Sequence, residues 1–201
     1  MSPKVSDQYK EERRSQILDT ALACFTEKGY RYTTIEDIAR RLSISKGSIY
    51  LYFSTKEEIY TRIMQERMRR TVERLRSRFG EATTARGKLD LVFQTFGSQN
   101  LAALQQILAF HLEFWLESVR RPELREAMEE QNSLAIELLS DIVQEGVANG
   151  EFRRDADPAA AASLFWAARD GIALQFVGAP SEAAYLERME GLEDFLLRYL
   201  R

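Results

Sequence analysis

Thr33 to Lys56, TTIEDIARRLSISKGSIYLYFSTK, reads as two short helices joined by a tight turn. In the first, Ile35, Ile38, Ala39 and Leu42 recur at helical spacing, which sets the apolar positions on one side and Glu36, Asp37, Arg40 and Arg41 on the other. Thr33 or Thr34 caps that helix, with Glu36 or Asp37 in its first turn. Ser43 interrupts the run, Ile44 resumes it as an inward anchor, and Ser45 caps a second helix from Lys46 to about Phe53. Only Ile49 and Phe53 have buried character there, whereas Lys46, Gly47, Ser48, Tyr50 and Tyr52 offer small, hydrogen-bonding or cationic groups outward. A helix that starts small and polar fits a major groove about 12 Å wide, its backbone N–H groups near phosphates and its first side chains near base edges. The two tyrosines and Lys56 then suit phosphates, the arrangement with which a helix-turn-helix reads DNA.

Upstream, a helix from about Tyr9 to Lys28 carries Ile17, Leu18, Ala21, Leu22 and Phe25 at three- and four-residue steps and is ended by Gly29. It makes the third wall of a small three-helix head, preceded by a short arm of eight or nine residues containing Pro3 and Lys4. Tyr30 and Tyr32 are expected to pack at the edge of the head. Cys24, between Ala23 and Phe25, reads as a small buried hydrophobe more than as a reactive thiol. Through Lys56 there are ten Lys and Arg against seven Asp and Glu, a net +3, and beyond it 18 against 24, a net −6. The overall charge of −3 therefore conceals a basic N-terminal end.

The paired threonines, Ile38-Ala39, the turn Ile44, Ser45 and Gly47, then Tyr50-x-Tyr52-Phe53 and Lys56-Glu57 resemble the TetR family of one-component bacterial transcriptional regulators. The specific part of the resemblance covers about a quarter of the chain; the rest is similar only in helical layout and length. It implies that residues matching Lys46, Gly47 and Ser48 face the bases, while those matching Thr34, Tyr50, Tyr52 and Lys56 hold the backbone. With Thr33 and Ser45, these form the DNA-contacting set. One departure lies in the turn, where many members have Gly and this chain has Ser43; a non-glycine residue at positive φ there costs about 1 kcal/mol.

With 201 residues and 45% hydrophobic content, the chain can build a proper core in one large or two small domains. No apolar run approaches the roughly 18 residues that span a membrane, and the N-terminus has charge but no apolar signal segment, so a cytoplasmic protein is expected. The single cysteine excludes an internal disulfide. From Thr55 a long helix runs to about Phe79, its Arg-rich middle reading as a solvated face more than a second DNA surface. Helical segments follow near Thr84 to Phe96, Leu101 to Arg120, Pro122 to Ala148, Pro158 to Val177 and Ser181 to Leu200, with Asn149-Gly150 and a polar hairpin from Glu151 to Asp157 between the third and fourth. The expected fold is all-α: an N-terminal three-helix helix-turn-helix DNA-binding head, residues 1–54, and a C-terminal helical-bundle domain for ligand binding and dimerisation, residues 55–201.

Two stretches of that bundle are rich in aromatics: Phe93 and Phe96 on one helix, and Phe110, Phe114 and, one row over, His111 and Trp115 on another. These six are the effector-binding set, for a small, largely apolar ligand, although core packing explains each of them singly at least as well. His111, the sole histidine, sits on an apolar stripe and needs a partner. Glu113 and Glu117 do not share its turn face and no second His or Cys completes a shell, so neither a metal nor a catalytic centre is expected there. The absence of a Gly-rich phosphate loop, a nucleophile elbow and a cysteine cluster argues against an enzyme and against a cofactor. On the last two helices Phe165, Trp166 and Ile172, with Leu192, Phe195, Leu196 and Tyr199, make an oligomer surface or the core of a single chain. The resemblance implies that these helices pair with their symmetry mates as a four-helix bundle, so that a homodimer meets a palindromic operator in double-stranded DNA and a ligand releases it. Two readings from other classes remain: an architectural DNA-binding protein with the same head and no ligand, and a helical enzyme built from scattered carboxylates.

Overall fold

Local signals decide where each helix starts and stops. The chain is described by a computed structural model over residues 7–97, 101–176, 178 and 181–201; side chains at 101–103, 110, 122–123 and 127–132, and the N-terminal arm at 1–6, lie outside the described residues. The elements are α1 (Asp7–Lys28), α2 (Ile35–Arg41), α3 (Lys46–Tyr50), α4 (Lys56–Arg78), a 3-10 turn (Phe79–Glu81), α5 (Ala85–Gly97), α6 (Leu101–Ser118), α7 (Pro122–Ala148), α8 (Pro158–Gln175) and α9 (Glu182–Leu200). Among the described residues every regular element is helical, and no helix is long and apolar enough to cross a membrane. The chain is all-α, as its periodicity predicts; the expected end of the fourth bundle helix at Val177 lies outside the described residues.

The start of α2 is a capping box. Thr34 accepts from the Asp37 backbone N–H at 3.2 Å, and the Asp37 carboxylate accepts from that of Thr34 at 3.1 Å. Ser45 caps α3 by accepting from the Ser48 N–H at 3.0 Å. Between them Ser43 has φ of 55°, the sole non-glycine at positive φ among the described residues, so the strain expected at this turn is present. Ser181 and Asp157 cap α9 and α8 in the same way, the latter just before Pro158.

The chain divides into two compact units. One holds the chain up to Arg67 together with Ala109–Met128; the other holds Met68–Leu108 and Glu129–Arg201. This division falls inside α4, and the first unit is built from more than the three N-terminal helices. Ile17, Ala21, Cys24 and Phe25 of α1, Ile35 and Ile38 of α2 and Ile49 of α3 are buried, and so are Ile59, Tyr60 and Ile63 of α4 and Phe114 of α6. Tyr60 and Phe114 stack with centroids 3.6 Å apart, and Tyr30 meets both rings edge-on at 5.5 and 5.2 Å. Each such contact adds about 0.5–1.5 kcal/mol beyond the area it buries. Cys24 is buried as expected, which pushes its thiol up from the ordinary value.

The second unit has a continuous apolar core from Val72 and Leu75 of α4, Leu89 to Phe96 of α5, Leu138 to Val143 of α7, Phe165 of α8 and Tyr185 to Leu200 of α9. The segment from Glu151 to Asp157 is less polar than expected: Phe152 and Ala156 are buried. Phe152 lies against Gly146, leaving no room there for a Cβ, and the Arg153 N–H donates to the Leu200 carbonyl at 2.8 Å, which ties this hairpin to the end of α9.

Candidate functional site

Capping fixes α3 from its first residue, and burial of Ile49 and Phe53 fixes which way it faces. Lys46, Gly47 and Tyr50 are left on its open side, as expected, with Ser45 exposed beside them. Lys46 forms an ion pair with Glu36 of α2 and lies 5.6 Å from the Tyr50 ring centroid. That carboxylate holds the Lys46 ammonium above its ordinary value, but both partners are exposed, so an incoming phosphate or base can compete for it. Ser48 is half-buried with its hydroxyl 2.8 Å from that of Ser45, and Tyr52 is half-buried.

Two members of the set are turned inward. Thr33 is fully buried, its hydroxyl shared between the carbonyls of Gly29 at 2.7 Å and Cys24 at 3.1 Å, so its side chain closes the end of α1 instead of facing outward; Thr34 alone is the exposed cap. Lys56 donates to the carbonyls of Tyr30 at 2.8 Å and Thr33 at 3.0 Å, with the Tyr30 ring centroid 4.3 Å away. Burial pulls its pKa down, while Glu57, Glu117 and Glu113 push it back up. Two of its three ammonium protons are thus committed to the loop after α1. Tyr30 packs as expected, but Tyr32 is 73% exposed: Thr33 takes the inward position beside it.

Within the same unit, α6 is fastened to that loop. The Glu113 carboxylate accepts from the Arg31 N–H at 2.8 Å, and Gly29, at φ of +83°, is where a Cβ would stand 2.6 Å from the same carboxylate. Arg121 pairs with Glu57 at 2.7 Å. His111 has the partner its setting demands, the Tyr60 hydroxyl at its Nδ1.

The six aromatic effector candidates fall into different groups. His111, Phe114 and Trp115 belong to the first unit, where Phe114 is fully buried between Tyr60 and Tyr30 and Trp115 is 45% exposed. Phe93 and Phe96 belong to the second, packed edge-on against Phe165 at 5.5 Å and Trp166 at 4.8 Å. Phe110 lies on α6 with its side chain outside the described residues. Tight ring packing therefore accounts for Phe96 and Phe114. A groove of about 650 Å³ in the second unit is lined by Arg74 and Arg78 of α4, Phe93 and Gln94 of α5, and Leu186, Met189, Glu190 and Glu193 of α9. Among the described residues, Phe93 is its one lining residue from the expected set. Arg74 and Arg78 were hidden in a stretch that reads as a solvated face, where their i, i+4 spacing was the available signal, and Leu186, Met189, Glu190 and Glu193 lay on a helix expected to serve the oligomer surface.

The oligomer set also separates. Phe165, Leu192 and Leu196 are buried within the single chain, because the small pair Ala161 and Ala162 lets that side of α8 close onto the core. Trp166 donates its indole N–H to the Ala135 carbonyl at 2.9 Å, Tyr199 lies under the Arg153 guanidinium at 4.4 Å, and Ile172 is half-buried. Phe195 alone is open, at 63% exposure, and Leu164 at 55%, outside the expected set, is open on α8, which packs on α9. Arg169 and Asp170 pair with each other at 2.7 Å, the guanidinium also lying over the Phe96 ring.

Comparison with known proteins adds to this geometry. Residues 17–63 match the family model described as bacterial regulatory proteins, tetR family, and residues 98–201 match that of the BetI-type transcriptional repressor C-terminal domain. The chain is 31% identical to an uncharacterized HTH-type transcriptional regulator, YfiR, of Bacillus subtilis, covering 86% of this chain and 83% of that protein. It is 31% identical to the fatty acid metabolism regulator protein of the same organism, over 74% and 75%. In fold it is similar to the transcriptional regulator FadR from Bacillus subtilis solved in complex with stearoyl-CoA, with a TM-score of 0.72 at 24% identity over 93% of this chain and 99% of that one.

Proposed function

This chain belongs to the TetR family of bacterial regulatory proteins, which are transcriptional regulators and not enzymes, and from that we propose that it is a homodimeric, ligand-released repressor acting in the cytoplasm on a palindromic operator. The observation that carries the reading is the open face of α3: Lys46, Gly47 and Tyr50 are exposed on a helix pinned by Ser45 and by buried Ile49 and Phe53. In this reading Lys46, Gly47 and Ser48 approach base edges, Thr34, Tyr50 and Tyr52 hold phosphates, and Lys56 positions the loop that presents Thr34. Residues 1–54 supply the DNA contacts, and residues 55–201 supply effector binding and dimerisation. Two copies paired through α8 and α9 place their α3 helices in successive major grooves, about 34–36 Å apart.

The effector is largely apolar, and an acyl thioester is the first class to test. The fatty acid metabolism regulator among the relatives and the stearoyl-CoA bound by a protein of similar fold support it. The groove has an apolar side, where Leu186 is open beside buried Phe93 and Met189, and a charged side, where the cations Arg74 and Arg78 stand with Glu190 and Glu193. Release requires only a population shift: an affinity difference of about 3 kcal/mol between two conformers changes their balance roughly a hundredfold.

The test is selection of bound sequences from a random duplex library at about 0.15 M salt. An enriched inverted repeat is expected, with binding reduced by an acyl-CoA. Recovery of salt-sensitive binding with no motif would sink the repressor reading.

A further inference from the structure

We propose that Leu51 reads the 5-methyl group of a thymine in each half-site, which makes it a specificity residue beside Lys46, Gly47 and Ser48. The proposal rests on the reading of α3 as the helix that enters the major groove. Leu51 closes α3 with right-handed helical backbone angles, φ −69° and ψ −18°, so it continues the spiral and falls one turn beyond Gly47. The open face of α3 then consists of two adjacent rows: Lys46 and Tyr50 form a polar one, and Gly47 and Leu51 an apolar one. Ile49 and Phe53 are buried on the other side, which holds this orientation.

Leu51 is 81% exposed, the most exposed large hydrophobic residue among those described. Among the described residues, the fold of the head does not bury it. A side chain at Gly47 would meet only the Ser45 hydroxyl, at 3.7 Å, so packing within the protein does not require glycine there. The missing side chain instead leaves a notch in which a base pair can come close to the backbone. Leu51 borders that notch on the next turn. Lys46, drawn toward Glu36 and the Tyr50 ring, keeps its charge in the other row. Of the groups that base pairs present in the major groove, the apolar one is the thymine C5-methyl; the rest are hydrogen-bond donors and acceptors. An exposed branched aliphatic side chain beside an open backbone matches that methyl and leaves no polar edge satisfied.

The experiment uses the duplex selected by the full-length protein. Each thymine of one half-site is replaced singly by deoxyuridine, which removes the methyl and keeps the base pair. At one position the wild-type protein is expected to lose roughly fourfold in affinity, as for one buried methyl-sized group. Leu51→Ala is expected to bind the thymine and deoxyuridine duplexes equally and to select sequences without that thymine, while Leu51→Met retains the preference. Two results overturn the proposal: no deoxyuridine position weakens the wild-type protein, or the loss persists unchanged in Leu51→Ala. Failure of the wild-type protein to select any motif removes the underlying DNA reading instead, an outcome separate from these.

Discussion

Asp37 serves four partners with two oxygens. Lys28 and Arg40 hold one oxygen at 2.8 and 3.0 Å, while the backbone N–H and hydroxyl of Thr34 hold the other. The Lys28 ammonium first, and then the Thr34 hydroxyl and N–H, keep this carboxyl far below the ordinary carboxylate range. With the folded-state pKa depressed, the contribution to stability is complete above the unfolded value near 3.9 and is lost as pH falls below about 4. Asp37→Asn is therefore expected to lower stability at neutral pH and to flatten its dependence between about pH 5 and pH 2, read from melting curves at each pH; parallel wild-type and variant profiles would contradict this. The adjacent threonines show what sequence can resolve at this scale. That a cap precedes Ile35 was legible, because capping chemistry is local. Which of the two residues was the cap was not, because the burial of Thr33 depends on carbonyls at the far end of α1. The inward turn of Lys56 was hidden for the same reason.

At the scale of elements, α5 illustrates both sides of the problem. Its start was placed within a residue by Thr84, yet the first N–H groups of a helix need acceptors, and two of them find one 65 and 66 residues away in sequence. The Glu151 carboxylate takes the Ala85 and Arg86 N–H groups at 3.0 Å each, joining the α7–α8 hairpin to the start of α5. Glu151→Ala is expected to cost about 1–2 kcal/mol, measured by denaturant unfolding, with Glu151→Gln recovering part of the loss. No local pattern reveals such a contact. The helix bounds were legible because Gly29, Thr34, Ser45, Pro158 and Ser181 act on their own neighbours. The facing of α8 was not, since a helix with alanine on several sides gives no clear stripe. The structure resolves it by burying Ala161, Ala162 and Phe165 and leaving Leu164 open.

For the whole molecule, the exposed Phe195 and Leu164 make a testable statement about assembly. In the proposed homodimer, Phe195→Glu is expected to raise the dissociation constant at least about tenfold in sedimentation experiments. The melting temperature should barely move at concentrations where the variant is monomeric, since the side chain is largely open in the single chain. An unchanged dimer would direct attention to another surface. The two-unit division carries a further consequence, for anyone who wishes to give this regulator a different sensor. A crossover at residue 54 takes a head without Ile59, Tyr60, Ile63 and Phe114, four of the buried side chains of its own unit. Such a graft should melt early or not fold. Junctions that respect the packing fall after Arg67, after Leu108 and after Met128. The donor's sensor must therefore arrive as two separate inserts, with the recipient's own residues 109–128 kept between them.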